Sequence, residues 1–242
     1  MSERSIEERN YHNKVADLTG GACWANTTPA GQFRQDARAK MAIEFIPIVR
    51  DKKILEIGCG NGEFSNRFLT TGAQVYCVDI STKLIEMLRA RYSGTNLRFV
   101  VTDVEHLPYD DDYFDGIIGN GVLHHLNLEI CLIEIYRVLK RNRRIFFVEP
   151  NMLNPEVFLE TNVRWLGKLA QKTKDEKAFF RWRLRKQMEA IGFRNVEITP
   201  FDFLQPLIPI LFIWLVKKMG YMLERVPLIK EFAGSLKIMA EK

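Results

Sequence analysis

The stretch Ile54-Leu55-Glu56-Ile57-Gly58-Cys59-Gly60-Asn61-Gly62 joins a short apolar run to a glycine turn. An apolar run of this length reads as a buried strand, and the glycines let the chain turn tightly into a following helix. In an open parallel sheet such a turn lies at the carboxyl edge, where backbone N–H groups and a helix N-terminus face a bound nucleotide. The rhythm here is G-x-G-x-G. The dinucleotide fingerprint G-x-G-x-x-G would need its third glycine at Glu63, so it fails there. Charge points the same way. Glu56, Glu63 and Asp103 would repel a pyrophosphate. Opposite charges a few ångströms apart instead attract by roughly 4 kcal/mol, before desolvation, at an effective dielectric near 20. The loop therefore suits a cationic ligand.

Working outward, strands and helices alternate. Lys53–Ile57, Gln74–Val78, Leu97–Val101, Phe114–Gly119 and Arg144–Val148 read as strands, and Glu63–Leu69, Thr82–Arg91 and Leu128–Leu139 as helices between them. Ser81 is a good N-cap for the second helix. The alternation predicts an α/β fold, with a parallel sheet covered on both faces. Before Lys52, Ile6–Asp17 and Phe33–Ile48 read as helices and Thr19–Gly31 as a loop. After Asn151, Pro155–Leu169 and Lys174–Ile191 read as helices, the latter stopped by Gly192. Arg194–Thr199 and Gly234–Ala240 read as strands that flank an apolar insert, Phe201–Ile229.

The chain has 242 residues, 47% hydrophobic and 27% charged, with a formal net charge of +5. That suffices for one sizeable domain. The mild basicity permits an anionic partner without demanding one. Met1–Asn10 lacks the apolar run of a secretory signal. Cys23, Cys59, Cys77 and Cys131 are scattered without a CxxC pair, so neither a disulfide framework nor a zinc site is expected, and a cytoplasmic setting is. Phe203–Val216 is strongly apolar but shorter than the roughly 20 residues that span a bilayer.

ILEIGCGNG, VDIS (Val78–Ser81), TDVEHLPYDDDYFDGII (Thr102–Ile118), GVLHHL (Gly121–Leu126), YRVLK (Tyr136–Lys140) and FFVEPN (Phe146–Asn151) follow one another at successive strand ends. In this order they resemble a class I S-adenosylmethionine-dependent methyltransferase of the small-molecule group that includes ubiquinone- and menaquinone-biosynthesis enzymes. The resemblance is strong over Lys52–Asn151 and weaker beyond. It implies a Rossmann-like three-layer sandwich whose seven-stranded sheet has an antiparallel last strand, Gly234–Ala240, beside Arg194–Thr199. It also implies one methyltransferase domain over 1–242: an N-terminal helical cap over 1–51, a cofactor-binding core over 52–151 and a substrate-side half over 152–242 that holds the insert 201–229. S-adenosylmethionine is then the cofactor and S-adenosylhomocysteine the product. Glu56, Gly58, Cys59, Gly60, Asn61 and Gly62 would hold the methionine part. Asp79 and Ile80 would take the ribose, and Asp103 and Val104 the adenine. Asn120 and Gly121 would line the sulfonium region, and Tyr11-His12 would close the site from the N-terminal helix. One departure is visible: Arg141-Asn142-Arg143 stands where the family has a Pro-Gly-Gly turn, far from the site.

Methyl transfer needs the acceptor in line with the transferred group, and hydroxyl or carbon acids usually need a base. His124 and His125 follow the fourth strand, and Glu149 ends the fifth. These are the catalytic candidates, with His125 first. A metal site from the histidine pair and Glu149 is weighed and not adopted. Gln32 and Arg34 are candidates to close on the methionine carboxylate. The insert 201–229 holds more apolar residues than one helix face needs. It leaves three roles open: a lid, a dimer interface, or peripheral membrane contact through 203–218 aided by Lys217, Lys218 and Arg225. A small, lipophilic acceptor is favoured, with monomer or homodimer left open. The alternatives are an RNA or protein methyltransferase on the same fold, or a non-catalytic cofactor-binding module. FFRWRLRK (Phe179–Lys186) is basic and aromatic, but no RNA-binding module accompanies it, so no nucleic acid is expected.

Overall fold

In Lys53–Ile57 (β1) every side chain after Lys53 is buried, and both its edges are paired in parallel, with Gln74–Asp79 (β2) and Phe114–Asn120 (β4). Strand order reverses at this point. The computed structural model describes residues 3–21, 24–163 and 178–242. With Leu97–Val101 (β3), Leu139–Pro150 (β5), Arg194–Phe201 (β6) and Ser235–Glu241 (β7), the strands form one seven-stranded sheet ordered β3-β2-β1-β4-β5-β7-β6. β7 runs antiparallel to both neighbours, as expected from the resemblance.

Helices bury each face of the sheet. Pro29–Phe45 (α3) lays Ala39 and Ala42 against a core that includes Ile54, Val75, Phe146 and Val148. Thr28 caps α3 by accepting from Gly31 N, and Pro29 opens it. On the same face Thr82–Arg91 (α4) buries Leu84, Ile85 and Leu88, and the Ser81 side chain accepts from Leu84 N as the sequence predicts. On the other face, Leu128–Val138 (α5) and Arg181–Ile191 (α7) bury Leu132, Ile135, Leu184 and Met188 against Leu55, Ile117, Phe147 and Ile238. Two arginines of α7 are spent in ion pairs, Arg181 with Glu231 and Arg185 with Glu189.

Several elements differ from the sequence reading. Glu63–Leu69 is not an α-helix; it holds a 3-10 turn, Ser65–Phe68. The segment has few residues before Gly72, and the tighter turn seats both Phe64 and Phe68 in the core, their rings edge-to-face at 5.1 Å. Thr19–Gly31 is not merely a loop, because it contains the short helix Trp24–Thr27 (α2) and the start of α3. The N-terminal helix runs over Glu3–Thr19 (α1), longer than expected. Arg141-Asn142-Arg143 lies within β5, where the register on β4 shifts between Phe114 and Gly116 and Asn142 adopts φ +58°. Pro155–Asn162 (α6) matches the start of its predicted helix. The rest of that helix, the start of the one predicted from Lys174, and Cys23 lie outside the described residues.

The apolar insert folds into Ile210–Leu223 (α8) and Pro227–Lys230 (α9). It is tied to α3, where Thr28 Oγ donates to the Pro206 carbonyl at 2.8 Å and the Lys217 ammonium sits 3.6 Å from the centre of the Phe33 ring.

Candidate active site

At the carboxyl ends of β1, β2, β3 and β4 the loops leave a cavity of about 430 Å³, roofed by α1. That size suits a nucleoside-bearing ligand. The loop after β1 is braced by the next strand. Asp79 accepts from Gly60 N and from Ser81 N, both at 2.9 Å, so its carboxylate fixes the glycine turn and the start of α4 together. Asp103 caps the short turn after β3 by accepting from Glu105 N at 3.1 Å through one oxygen. Its other oxygen, Oδ2, is buried and has no hydrogen-bond partner among the described residues. Such an acceptor is costly to leave unmade.

Glu56 lies at the base of the cavity, fully enclosed. Burial pushes its carboxyl up to about 7; the neighbouring Ser65 hydroxyl and the Cys77 thiol, which donates to it at 3.4 Å, hold it part-way back, and nearby Asp79 raises it further. A buried acid in this condition is stabilised by an incoming cation.

Residues 55–147 match the family described as methyltransferase domain. Residues 55–147 thus carry a methyltransferase domain. Among curated proteins it is 35% identical over 103 residues to a demethylmenaquinone methyltransferase of Clavibacter sepedonicus, covering 42% of each chain. It is 25% identical over 151 residues to an uncharacterized methyltransferase-like protein of Schizosaccharomyces pombe, covering 62% of this chain and 57% of that one. The chain thus spans about half the length of these relatives. Its fold is shared with the [4+2]-cyclase SpnF, at a TM-score of 0.70 and 19% identity, covering 98% of this chain and 96% of that one.

The methyltransferase domain brings nearly all of the anticipated cofactor residues to this cavity. Glu56, Gly58, Cys59, Gly60, Asn61, Asp79, Ile80, Asp103, Val104, Asn120, Gly121 and Tyr11 all line it. Gly62 is not among the residues that line it. It adopts φ +80°, and a Cβ there would meet Leu88 at 2.7 Å, so its role is the close approach of the loop to α4. The free Asp103 oxygen and the enclosed Glu56 carboxyl fit a ligand that brings an amino donor and a positive charge.

Two of the anticipated residues are displaced by one helical turn. Gln32 and Arg34 turn away from the cavity: Gln32 donates to Glu63 at 3.0 Å and Arg34 to Asp202 at 2.7 Å. Gln35 and Arg38 line it instead. Arg38 donates to Asn120 Oδ1 at 2.9 Å, Asp202 Oδ2 at 3.0 Å and Ser235 Oγ at 2.9 Å, and its Nε has no partner among the described residues. Burial, with the like charge of Arg34, lowers the Arg38 guanidinium to about 10 against the pull of Asp202. The helical spacing of Gln32, Gln35, Arg34 and Arg38 was readable; which pair faces inward was not.

The catalytic candidates separate. Glu149 does not point into the cleft. It is 1% exposed and accepts from Val122 N at 2.9 Å, Leu123 N at 2.8 Å and the His124 ring at 2.7 Å. It therefore holds the loop after β4, and His124 with it. His125 faces the cavity and meets α1, where Glu8 and His12 project one turn apart. Burial pushes the Glu8 carboxyl up, but the His12 and His125 imidazoles outweigh that and hold it below the usual carboxylate range. α1 is fastened at several points. Arg4 pairs with Glu105 and donates to the His125 carbonyl, Arg9 donates to the Ile80 carbonyl at 3.2 Å, and Asn13 accepts from Ser81 Oγ at 2.8 Å.

Proposed function

We propose that the chain binds S-adenosylmethionine in this cavity and methylates O, N or C of a small, lipophilic acceptor. S-adenosylmethionine supplies an activated methyl group and leaves as S-adenosylhomocysteine. The observation that carries the reading is the presence of Glu56 and the free Asp103 oxygen in one cavity, a charge and an acceptor that suit an adenosine-bearing cation. Asp79 would take the ribose hydroxyls while keeping the glycine turn in place. Asn120, Gly121 and Tyr11 would shape the space around the sulfonium. Arg38 and Gln35 would meet the methionine carboxylate. The acceptor would approach along α1, where Glu8, His12 and His125 form a polar wall. His124 and Glu149 position the loop that presents His125.

The lipophilic character of the acceptor rests on α8 and α9. Leu211 is 85% exposed, Trp214 70% and Leu228 80%, and the whole face of α8 turned away from the protein exposes apolar side chains. An apolar helix face of this extent, left without a partner, marks an interaction surface. No helix of the described residues is long and apolar enough to cross a membrane. Lys217, Lys218, Arg225 and Lys230 accompany the apolar residues, an arrangement that suits the headgroup region of an anionic lipid surface. The resemblance to a demethylmenaquinone methyltransferase supports an acceptor drawn from such a surface. We read the whole chain as one methyltransferase unit in the cytoplasm, in keeping with the unpaired Cys59, Cys77 and Cys131.

Titration calorimetry with S-adenosylmethionine and S-adenosylhomocysteine tests the first half. Binding that is lost in Asp79→Ala supports it, and no binding by the wild type, or the same affinity in the variant, overturns it. Incubation with methyl-labelled cofactor and separated lipid-phase and aqueous extracts tests the second half. Label entering the lipid fraction supports a lipophilic acceptor, and label confined to the aqueous fraction overturns it.

A further inference from the structure

Glu8 and His12 lie one turn apart on α1, and His125 arrives from the turn after β4. Glu8 Oε2 is 3.4 Å from His12 Nε2 and 3.5 Å from His125 Nδ1. One ligand atom from each residue lies within 4.8 Å of the other two. The imidazole rings are 5.7 Å apart and steeply inclined, at 72°.

These separations are informative beside a neighbour. His124 and Glu149, in the same loop, meet at 2.7 Å, the length of a strong charge-assisted hydrogen bond. The Glu8 contacts are longer by most of an ångström. They match instead the edge of a metal coordination polyhedron: ligands at about 2.1 Å from a tetrahedral zinc-like ion stand about 3.4 Å from one another. Two imidazoles and one carboxylate, with the remaining positions open, is a donor set that suits first-row divalent ions. The trio lines the cavity beside Tyr11 and Leu126, so an ion held there would border the space where an acceptor would stand.

We propose that Glu8, His12 and His125 form a binding site for a divalent transition-metal ion that fastens α1 onto the loop after β4 and offers its open positions to an oxygen-bearing ligand. The sequence alone pointed away from this site, because two of its ligands sit more than a hundred residues from the third and Glu149, the acid weighed for it, is spent on backbone amides. The metal site stands on its own geometry; only the identification of the oxygen ligand with the methyl acceptor rests on the methyl-transfer reading.

The test uses the full chain, freed of metal by chelator dialysis, with ZnCl₂ followed by calorimetry and CoCl₂ by visible absorption. One equivalent of zinc should bind, and cobalt should give the intense bands of a low-coordinate nitrogen and oxygen site. His12→Gln and Glu8→Gln should each weaken zinc binding by at least about tenfold, while His106→Ala, on an exposed histidine outside the cavity, should not. S-adenosylhomocysteine affinity measured in the same His12→Gln sample reports that its cavity is folded. Absence of zinc binding by the wild type, or equal binding in wild type and His12→Gln with the cavity intact, overturns the proposal. If zinc fails to bind while S-adenosylhomocysteine binds, the ion falls and the methyl-transfer reading stands. The reverse result would remove that reading and leave the ion.

Discussion

Arg38 of α3 donates to Asp202, just past β6, across 3.0 Å, and Arg34 donates to the same carboxylate oxygen at 2.7 Å. The pairing joins the helix that supplies the inner arginine to the loop that launches the apolar insert. Asp202 also accepts from Leu204 N at 3.2 Å, while its own N–H donates to Glu224 at 2.9 Å, so one largely enclosed acid organises both ends of the insert. Burial would raise the Asp202 carboxyl, but the two guanidinium groups hold it below the usual range.

Asp202→Asn should therefore destabilise the protein by about 3 kcal/mol, the usual cost of leaving a buried charge without its partner. Because the folded value is depressed, this contribution is present above the ordinary aspartate value near 4 and is lost as pH falls through the lower folded value. Thermal melts of both proteins at pH 7 should differ clearly. A difference within error at pH 7 would show that the pairing is not a fastening.

Glu56 carries the opposite sign. Its folded value of about 7 lies above the ordinary 4.5, so the apoprotein is favoured below pH 4.5 and loses that advantage as pH rises through 7. At pH 8 the buried charge costs up to about 3 kcal/mol, because a tenfold change in proton affinity is worth about 1.4 kcal/mol. Glu56→Gln should melt higher than wild type at pH 8 without cofactor, yet bind S-adenosylmethionine more weakly. For the wild type, calorimetry near pH 7 should give an enthalpy that varies with the buffer, because binding a cation expels the Glu56 proton. A buffer-independent enthalpy would argue that Glu56 does not respond to the ligand.

The glycine loop offers a pair of variants with opposite expectations. A Cβ at Gly60 would meet nothing within 4 Å, whereas one at Gly62 would meet Leu88 at 2.7 Å. Both residues have positive φ, which costs each alanine about 1 kcal/mol. Gly62→Ala should lose additional stability through overpacking, by about 1–3 kcal/mol, and keep its cofactor affinity. Gly60→Ala should keep most of its stability and lose affinity. Denaturant melts and calorimetry on both proteins separate the two roles.

The insert makes its own prediction. Leu211 and Trp214 contribute little to the folded core, so Leu211→Glu with Trp214→Glu should leave the melting temperature within about 2 °C, as surface changes usually do. The wild type should sediment with vesicles containing phosphatidylserine more than with phosphatidylcholine alone, and the variant should remain in the supernatant. Equal sedimentation of both proteins would remove the lipid surface as the occupant.

The strand rhythm, the parallel core and the acids at successive strand ends were legible because the central strands are buried on both faces and each acid lies at or next to the carboxyl end of its strand. A local pattern of that kind survives without tertiary information. The approach of Gly62 to Leu88 was not legible, because spacing cannot tell a glycine that faces a cavity from one that faces a helix. The helix expected after the loop became a 3-10 turn because the fit of Phe64 and Phe68 into the core outweighed helix propensity.

From its own order, the sequence determined the sheet, the glycine loop and the acid beneath it. Tertiary structure decided which turn of α3 faces inward, since helices repeat every 3.6 residues and Gln32 and Gln35 differ only by packing. It decided that Glu149 holds a loop rather than facing a ligand. It also brought Glu8 and His12 to His125, a contact no local pattern encodes, because it depends on where α1 lies across the finished sheet.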